Sequence, residues 1–356
     1  MPADGPGSRR GAEQSSQTID LGTPLPPAKP VFPVPTDVPT MPAAPDVLLL
    51  HQAAHGEAKI RPLLEDELPD DAELVVAEDE ADSLEAIADA EIALTFALTE
   101  DQVAAAEGLE WVQAMNAGVD DYPTDALAER GVALTNSAGI HREQIGQHVL
   151  GYMLYFERRF DEGIRQQRAG EWDHYDAGEL GDETLGIVGV GAIGGRVAEL
   201  GQLFGMDVVG TKRDPSTAPE AVDECYTPER LDAVLDQADY LVLACPLTDE
   251  TEGLIGGEEL ARLDENAVLI NVARGPVVDQ SALIDALDDG DLRGAGLDVS
   301  DPEPMPEDSP LRSMEHVITT PHIAGSTPHY FDRAIELFAE NYRAHVAGEE
   351  LENRIV

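Results

Sequence analysis

The sequence predicts an α/β protein built on two parallel sheets. Two observations carry that reading: short apolar runs alternate with amphipathic helical stretches from residue 46 onward, and the alternation stops at a long helical segment and then begins again. A chain of 356 residues, 42% hydrophobic, is long enough for two such domains. The first run of strands is read at 46–50, 73–77, 91–95, 110–114 and 132–135, with helices such as 82–89 and 100–107 between them. A helix over 141–159 follows. The second run is read at 184–189, 206–210, 239–244, 267–272, 294–299 and 316–320, and a last helix at 328–346. That helix comes after the second sheet and is expected to fold back on the first domain. Residues 1–45 are dense in proline and are read as an extended tail, with Met41 as an alternative start. The domain reading is therefore a 1–45 tail, a first domain of 46–150 plus 324–350, and a second domain of 151–323.

Composition narrows the setting. The chain carries 71 Asp plus Glu against 22 Lys plus Arg, a net charge of −49, and only three lysines, Lys29, Lys59 and Lys212. With ordinary apolar content and clear periodicity, that acid belongs on the surface of a folded protein. It is read as adaptation to molar salt, where the Debye length shrinks to about 3 Å. Such a surface repels nucleic acid and anionic membranes, and no apolar run approaches the roughly 20 residues of a spanning helix. Arg9 and Arg10 precede no apolar stretch, so no export signal is read. The two cysteines, Cys225 and Cys245, lie in no metal-ligand or disulfide pattern, which points to a reducing cytoplasmic setting.

Residues 184–214 contain the most specific motif. A strand runs into Gly189-x-Gly191-x-x-Gly194, a helix opens at Ala192 and Ile193, and a second strand follows. The first glycine permits a tight turn, the second lets backbone approach a pyrophosphate, and the third allows close helix–strand packing. The helix N-terminus faces the anion. This context reads as a nicotinamide dinucleotide site. Past the second strand stand Lys212 and Arg213, suited to the 2′-phosphate of NADP. Asp214 is an alternative partner for the NAD ribose. NADP is the preferred reading, with NAD possible.

Three later strands end in chemistry-bearing residues: Arg274 after 267–272, Asp298 and Glu303 after 294–299, and His322 after 316–320. Ligands in open α/β sheets bind beyond the carboxyl ends of the strands, so these side chains converge on the same crevice. Arginine forks a carboxylate, and histidine exchanges a proton near neutral pH. A carboxylate behind the imidazole fixes its tautomer and favours the protonated form. A structural Arg274–Asp279 pair is the competing reading of the arginine. His51 and His55 are spaced i, i+4 but follow a strand in a loop without a third ligand, so no metal site is read there. His141 and Arg142 open the long helix beside the expected pocket. His148 is read as packed within it.

In this order these motifs resemble the D-isomer-specific 2-hydroxyacid dehydrogenase family over residues 46–348. The resemblance implies a Rossmann-type nucleotide-binding domain plus a discontinuous flavodoxin-like substrate domain. It implies hydride transfer to the keto carbon of a small 2-oxoacid, giving a D-2-hydroxyacid. Arg274 would hold the substrate carboxylate and carbonyl, His322 would act as general acid/base, and Glu303 would orient it, so reduction should fall as pH rises and His322 loses its proton. Asp298 would sit at the nicotinamide carboxamide, and Pro246 and Thr248 would lie on a cofactor-facing loop. Asn116-Ala117-Gly118-Val119-Asp120 matches the substrate loop, with the backbone of Ala117, Gly118 and Val119 as carboxylate donors and no role assigned to the Asn116 side chain. Residues 157–173 resemble a dimerisation arm, which implies a homodimer. A short phosphoglycerate dehydrogenase and a dinucleotide-sensing binding protein are alternatives within the resemblance. Formate dehydrogenase is disfavoured because Glu303 stands where that activity pairs its histidine with glutamine.

Overall fold

The computed structural model describes residues 44–119 and 122–356, and of Ala54 and His55 the backbone only. The tail read over 1–45, with Met41, lies outside the described residues except for its last two positions, and so does Asp120 of the predicted substrate loop.

The first half reads β1 (Val47–Leu49), α1 (Glu57–Glu67), β2 (Leu74–Val76), α2 (Glu80–Ala86), β3 (Ile92–Thr95), α3 (Glu100–Ala105), β4 (Trp111–Ala114), α4 (Thr124–Arg130) and β5 (Ala133–Thr135). Helices α5 (Arg142–Glu157) and α6 (Phe160–Ala169) follow. The second half reads β6 (Thr184–Val188), α7 (Ala192–Leu203), β7 (Asp207–Thr211), β8 (Glu224–Tyr226), α8 (Leu231–Leu235), β9 (Tyr240–Leu243) and α9 (Gly257–Leu260). It continues through β10 (Val268–Asn271), α10 (Gln280–Asp289), β11 (Gly294–Leu297), β12 (Val317–Thr319) and α11 (Tyr330–Ala347). Each predicted strand is present to within two residues at either end. Strand β8, three residues at a sheet edge, has no counterpart in the sequence reading. Its Glu-Cys-Tyr run is too short and too polar to show a period.

Five strands form one sheet in the order β2-β1-β3-β4-β5, and seven form a second in the order β12-β11-β10-β9-β6-β7-β8. All pairings in both are parallel. The first order is the flavodoxin-like one, and the second is the Rossmann order extended by one strand. The expected fold class is therefore present. Parallel strands are covered on both faces and read as continuous apolar runs, and β9 shows how. Tyr240 and Val242 enter one core with Val149 and Met153 of α5, while Leu241 and Leu243 enter the core on the opposite face with Leu283 of α10. The chain reverses direction across the second sheet between β6 and β9, which opens a crevice at their carboxyl ends.

The last helix packs on the first sheet. Ala334, Ile335, Phe338 and Tyr342 of α11 share a buried cluster with Val47, Leu49, Ile92, Leu94 and Trp111. The Phe338 ring stacks on Trp111 at 5.2 Å between centroids. Phe338→Ala is expected to destabilise the protein by about 3–5 kcal/mol, the usual cost of emptying a buried aromatic site. Urea unfolding monitored by circular dichroism checks this, and an unchanged midpoint would show that α11 contributes little to the sheet.

One local expectation is corrected. His51 does not stand in a loop: residues His51–Gly56 form a 3-10 turn running into α1, and the His51 imidazole lies 2.7 Å from the Ser83 hydroxyl. The His55 side chain is outside the described residues.

Candidate active site

The dinucleotide turn is built as its residue types require. Gly189 has φ +96°, and a side chain there would strike the backbone of Ala244 and Cys245. A Cβ on Gly194 would overlap the Gly189 carbonyl, so strand end and helix start can meet only through these glycines. Helix α7 begins at Ala192 with Gly191 as its N-cap and no side chain capping it. Its first backbone N–H groups, on Ala192, Ile193 and Gly194, lack helical acceptors and point out of the helix start. Around Gly191 there is open space. An uncapped, unobstructed helix start of twelve residues fits a dinucleotide pyrophosphate. The β9 end docks against it through the Ala244 N–H to the Val188 carbonyl (2.9 Å), placing Pro246 and Thr248 on the adjoining loop. There the Thr251 hydroxyl donates to the Pro246 carbonyl (2.6 Å) and accepts from the Thr248 N–H (2.8 Å).

At the end of β7, Thr211 is buried and its carbonyl accepts from the Val190 N–H (2.8 Å). Lys212 is half-buried and Arg213 exposed. The neighbouring acid is engaged through one oxygen, Oδ1. Asp214 accepts from the Ser216 N–H and hydroxyl (3.1 and 2.6 Å), bonds that hold its carboxyl below the usual range, with Lys212 adding to the effect.

Three strand ends supply the remaining side chains. After β10, buried Asn271 ties the turn: its amide accepts from the Ala273 N–H (3.0 Å) and donates to the Arg274 carbonyl (2.9 Å). Arg274 is half-buried and donates to the Ala273 carbonyl (2.8 Å). It has no acid partner among the described residues. The structural pairing with Asp279 is absent, because Asp279 caps α10 by accepting from the N–H groups of Ser281 and Ala282. Its guanidinium thus keeps donors for a ligand. A side chain at Gly275 would collide with the Ser300 backbone, so this glycine lets the arginine turn lie directly against the loop that carries Glu303.

Glu303 divides its two oxygens. Oε1 accepts from the Ser300 N–H (3.1 Å), and Oε2 lies 2.9 Å from His322 Nδ1. A carboxylate only accepts, so His322 carries a proton on Nδ1 and offers Nε2 for exchange. His322 has φ +51°, a left-handed backbone that few residues other than glycine adopt. Its N–H donates to the Asp298 carbonyl (2.8 Å). The dyad opens onto a cavity of about 500 Å³ lined by Asp298, Ser300, Arg312, Thr320 and both partners themselves.

Asp298 is 3% exposed, and its carboxylate is occupied by the histidine loop. It accepts from the Thr320 hydroxyl and from the N–H groups of Ile323 (2.9 Å) and Ala324 (2.8 Å). The sequence reading did not anticipate Asn271 or Thr320. The signal in each case is a polar residue closing an apolar strand run.

Asn116, Ala117, Gly118 and Val119 are half-buried beyond β4. The Asn116 amide is used internally, donating to the Phe96 carbonyl (3.1 Å) and accepting from the Tyr122 hydroxyl (2.8 Å), and the Asn136 amide holds the Ala117 carbonyl. His141 sits where α5 begins, 3.2 Å from the Gly325 carbonyl. Burial lowers its pKa; the Gly325 bond opposes that shift, and Arg333 adds to it. Arg142 and Ala192 line a second cavity of about 630 Å³, with Glu336 and Glu340 of α11 opposite.

A glycine-turned parallel sheet with arginine and a Glu–His pair at its strand ends defines a nicotinamide-dinucleotide-dependent oxidoreductase. The chain belongs to the D-isomer-specific 2-hydroxyacid dehydrogenase family: the model of that family's NAD-binding domain matches residues 150–324. Glyoxylate/hydroxypyruvate reductase B of Yersinia pestis (strain Pestoides F) is 36% identical over 239 residues, covering 65% of this chain and 72% of that protein. A family member from Xanthobacter autotrophicus Py2, solved with NADPH and MES, superposes with a TM-score of 0.77 at 31% identity, covering 88% of this chain and 98% of that one. An NADPH-dependent glyoxylate/hydroxypyruvate reductase from Sinorhizobium meliloti, solved with NADP and sulfate, gives 0.75 at 27% identity, covering 87% and 98%.

Proposed function

We propose that this protein reduces a small 2-oxoacid to the D-2-hydroxyacid, preferring NADPH to NADH. The observation that carries the reading is the 2.9 Å His322–Glu303 pair, whose loop packs against the turn of Arg274, an arginine with no acid partner among the described residues. A bound reduced nicotinamide supplies the hydride. Gly189, Gly191, Ala192, Ile193 and Gly194 would hold the cofactor's pyrophosphate, and Pro246 and Thr248 would line its facing loop. Asp298 would meet the carboxamide through Oδ2, which among the described residues accepts only from the Ala324 N–H. Arg274 and the backbone of Ala117, Gly118 and Val119 bind the substrate carboxylate, and Arg274 also steadies the charge developing on the carbonyl oxygen. His322 donates the Nε2 proton to that oxygen, and Glu303 holds the ring through Nδ1 and offsets the imidazolium charge. Residues 46–150 with 324–350 form the substrate domain, and 151–323 the dinucleotide domain. Rates with glyoxylate, hydroxypyruvate and longer 2-oxoacids in molar salt, with NADPH and NADH in turn, test the reading. No oxidation of either cofactor by any of these acids would overturn it.

The NADPH preference rests on Lys212 and Arg213, the two cations past the end of β7. Replacing both cations with serine is expected to weaken NADPH about 10–100-fold, the range for one or two charge-assisted hydrogen bonds, and to leave NADH nearly unchanged. Fluorescence titration of each cofactor decides this, since equal losses would rule out phosphate recognition.

We place the protein in the cytoplasm as a homodimer. Among the described residues no helix is long and apolar enough to cross a membrane. On the 157–173 arm, Trp172 is 98% exposed, and Phe160 and Ile164, one turn apart on α6, are also exposed, apolar surface suited to a second copy of the chain. Light scattering in molar salt tests the dimer.

A further inference from the structure

We infer that His148 is a positioning residue for the loop that carries His322. From helix α5, together with Tyr152, it orients the Thr320 hydroxyl onto Asp298, and the Asp298 carboxylate clamps the backbone following His322. The inference rests on the proposed role of His322.

Proton bookkeeping fixes the direction of each bond. The Asp298 carboxylate can only accept, so the Thr320 hydroxyl gives its single proton to it. The Thr320 oxygen also lies 2.6 Å from the Tyr152 hydroxyl and 3.1 Å from His148 Nε2. With its own proton committed, that oxygen must accept both of these bonds. Burial raises the Tyr152 pKa, so the phenol keeps the proton it donates. His148 must then carry a proton on Nε2. Both lone pairs of the hydroxyl are used, and the Thr320 rotamer has no freedom left.

The far end of this chain of bonds is the catalytic loop. Asp298 accepts from Ile323 and Ala324 and, through its carbonyl, from the His322 N–H, so its contacts with residues 320, 322, 323 and 324 bracket the histidine. A left-handed, non-glycine residue persists only where its surroundings over-determine it, and this clamp supplies that constraint. His148 and Tyr152 are spaced i, i+4 and share one face of α5, their rings edge to face at 4.6 Å. Gly296 on β11 admits the Tyr152 ring, since a Cβ there would meet it at 2.9 Å. A cluster that merely satisfied buried polar groups would contribute stability without setting the rate. A clamp on the acid/base loop sets the rate as well, because displacing a reacting group by about 1 Å can cost about 10²-fold.

The test compares His148→Leu, His148→Gln, Thr320→Val and His322→Gln in the full chain in molar salt. Glyoxylate serves as the probe substrate, or hydroxypyruvate if that is the acid reduced. His148→Leu and Thr320→Val are expected to lower kcat about tenfold, within that positional range. NADPH affinity should stay within about twofold by fluorescence, and amide exchange in 322–325 should accelerate selectively by mass spectrometry. His148→Gln, whose side-chain N–H can still reach the hydroxyl, should recover most of the rate. Wild-type kcat and wild-type exchange in His148→Leu, at whatever Tm, would overturn the inference, as would a Gln variant no faster than the Leu variant. Should the Leu variant not fold, the Gln and Thr320→Val variants carry the same comparison. His322→Gln separates the two ideas: if it stays active, the proposed acid/base role of His322 fails and the clamp with it, and if it is inactive while His148→Leu is unaffected, only the clamp fails.

Discussion

Replacing His322 with glutamine is expected to slow 2-oxoacid reduction by about 10²–10⁴-fold, the range for a lost general acid, while leaving NADPH binding intact. The amide can donate a hydrogen bond to the substrate oxygen but cannot transfer a proton. Geometry singles out His322. Glu303 occupies Nδ1, the Asp298 carbonyl holds the backbone N–H, and Nε2 is left for chemistry. Glu303→Gln should cost less, because its amide oxygen still accepts from Nδ1 while the charge that offsets the imidazolium is lost. Arg274→Lys should raise the KM for the oxoacid more than it lowers kcat, since an ammonium replaces a planar fork. Stopped-flow loss of NADPH absorbance resolves the chemical step from binding. A His322→Gln enzyme within threefold of wild type would remove the histidine from the mechanism.

What the sequence made legible divides along a physical line. The glycine turn could be read because its spacing answers demands local to one strand and one helix: Gly194 meets Gly189 and Ile187, close in the chain, and Gly189 takes the left-handed φ of the turn itself, while its tight fit against Ala244 and Cys245 is a long-range contact that no local pattern announces. Arg274, Glu303 and His322 could be read because each follows an apolar strand within a few residues, and parallel topology brings strand ends to one edge. The supports beneath them could not. The bond from His148 to Thr320 spans 172 residues and joins α5 to the end of β12, so no local pattern announces it. Gly275 is required by the Ser300 backbone, a close approach visible only once two strands lie side by side. Asp279 offered a plausible partner for Arg274, and helix capping claimed it instead. The acid at 214 also takes a local part, accepting from Ser216 through Oδ1 alone.

Withdrawing salt is expected to unfold this protein. Its net charge is −49, and among the described residues only Glu157 and Asp298 are buried carboxylates, so nearly all of the described acid faces solvent. Both buried acids are compensated: Glu157 accepts from the Tyr240 hydroxyl (2.6 Å) and pairs with Arg293 (3.2 Å), and Asp298 is held by its three donors. The exposed arginines form pairs such as Arg61–Glu57, Arg165–Glu162 and Arg262–Asp236, which contribute little each. The excess of acid is left uncompensated by protein. At 0.1 M salt the Debye length is about 10 Å, so neighbouring surface carboxylates repel across several side chains, whereas about 3 Å at 1 M confines each charge to its own shell. A folding margin of about 5–15 kcal/mol does not survive repulsion of that extent. The apparent Tm without cofactor should therefore fall by more than about 10 °C between 2 M and 0.1 M KCl, given a shift of roughly 1.5 °C per kcal/mol for a chain of this size. Screening and salting-out are separable. Screening needs only ionic strength, so most of the gain should come below 1 M with chloride as well as sulfate, whereas surface exclusion would favour sulfate strongly. Equal melting temperatures in 0.1 M and 2 M KCl would mean that the acidic surface is not an adaptation to salt.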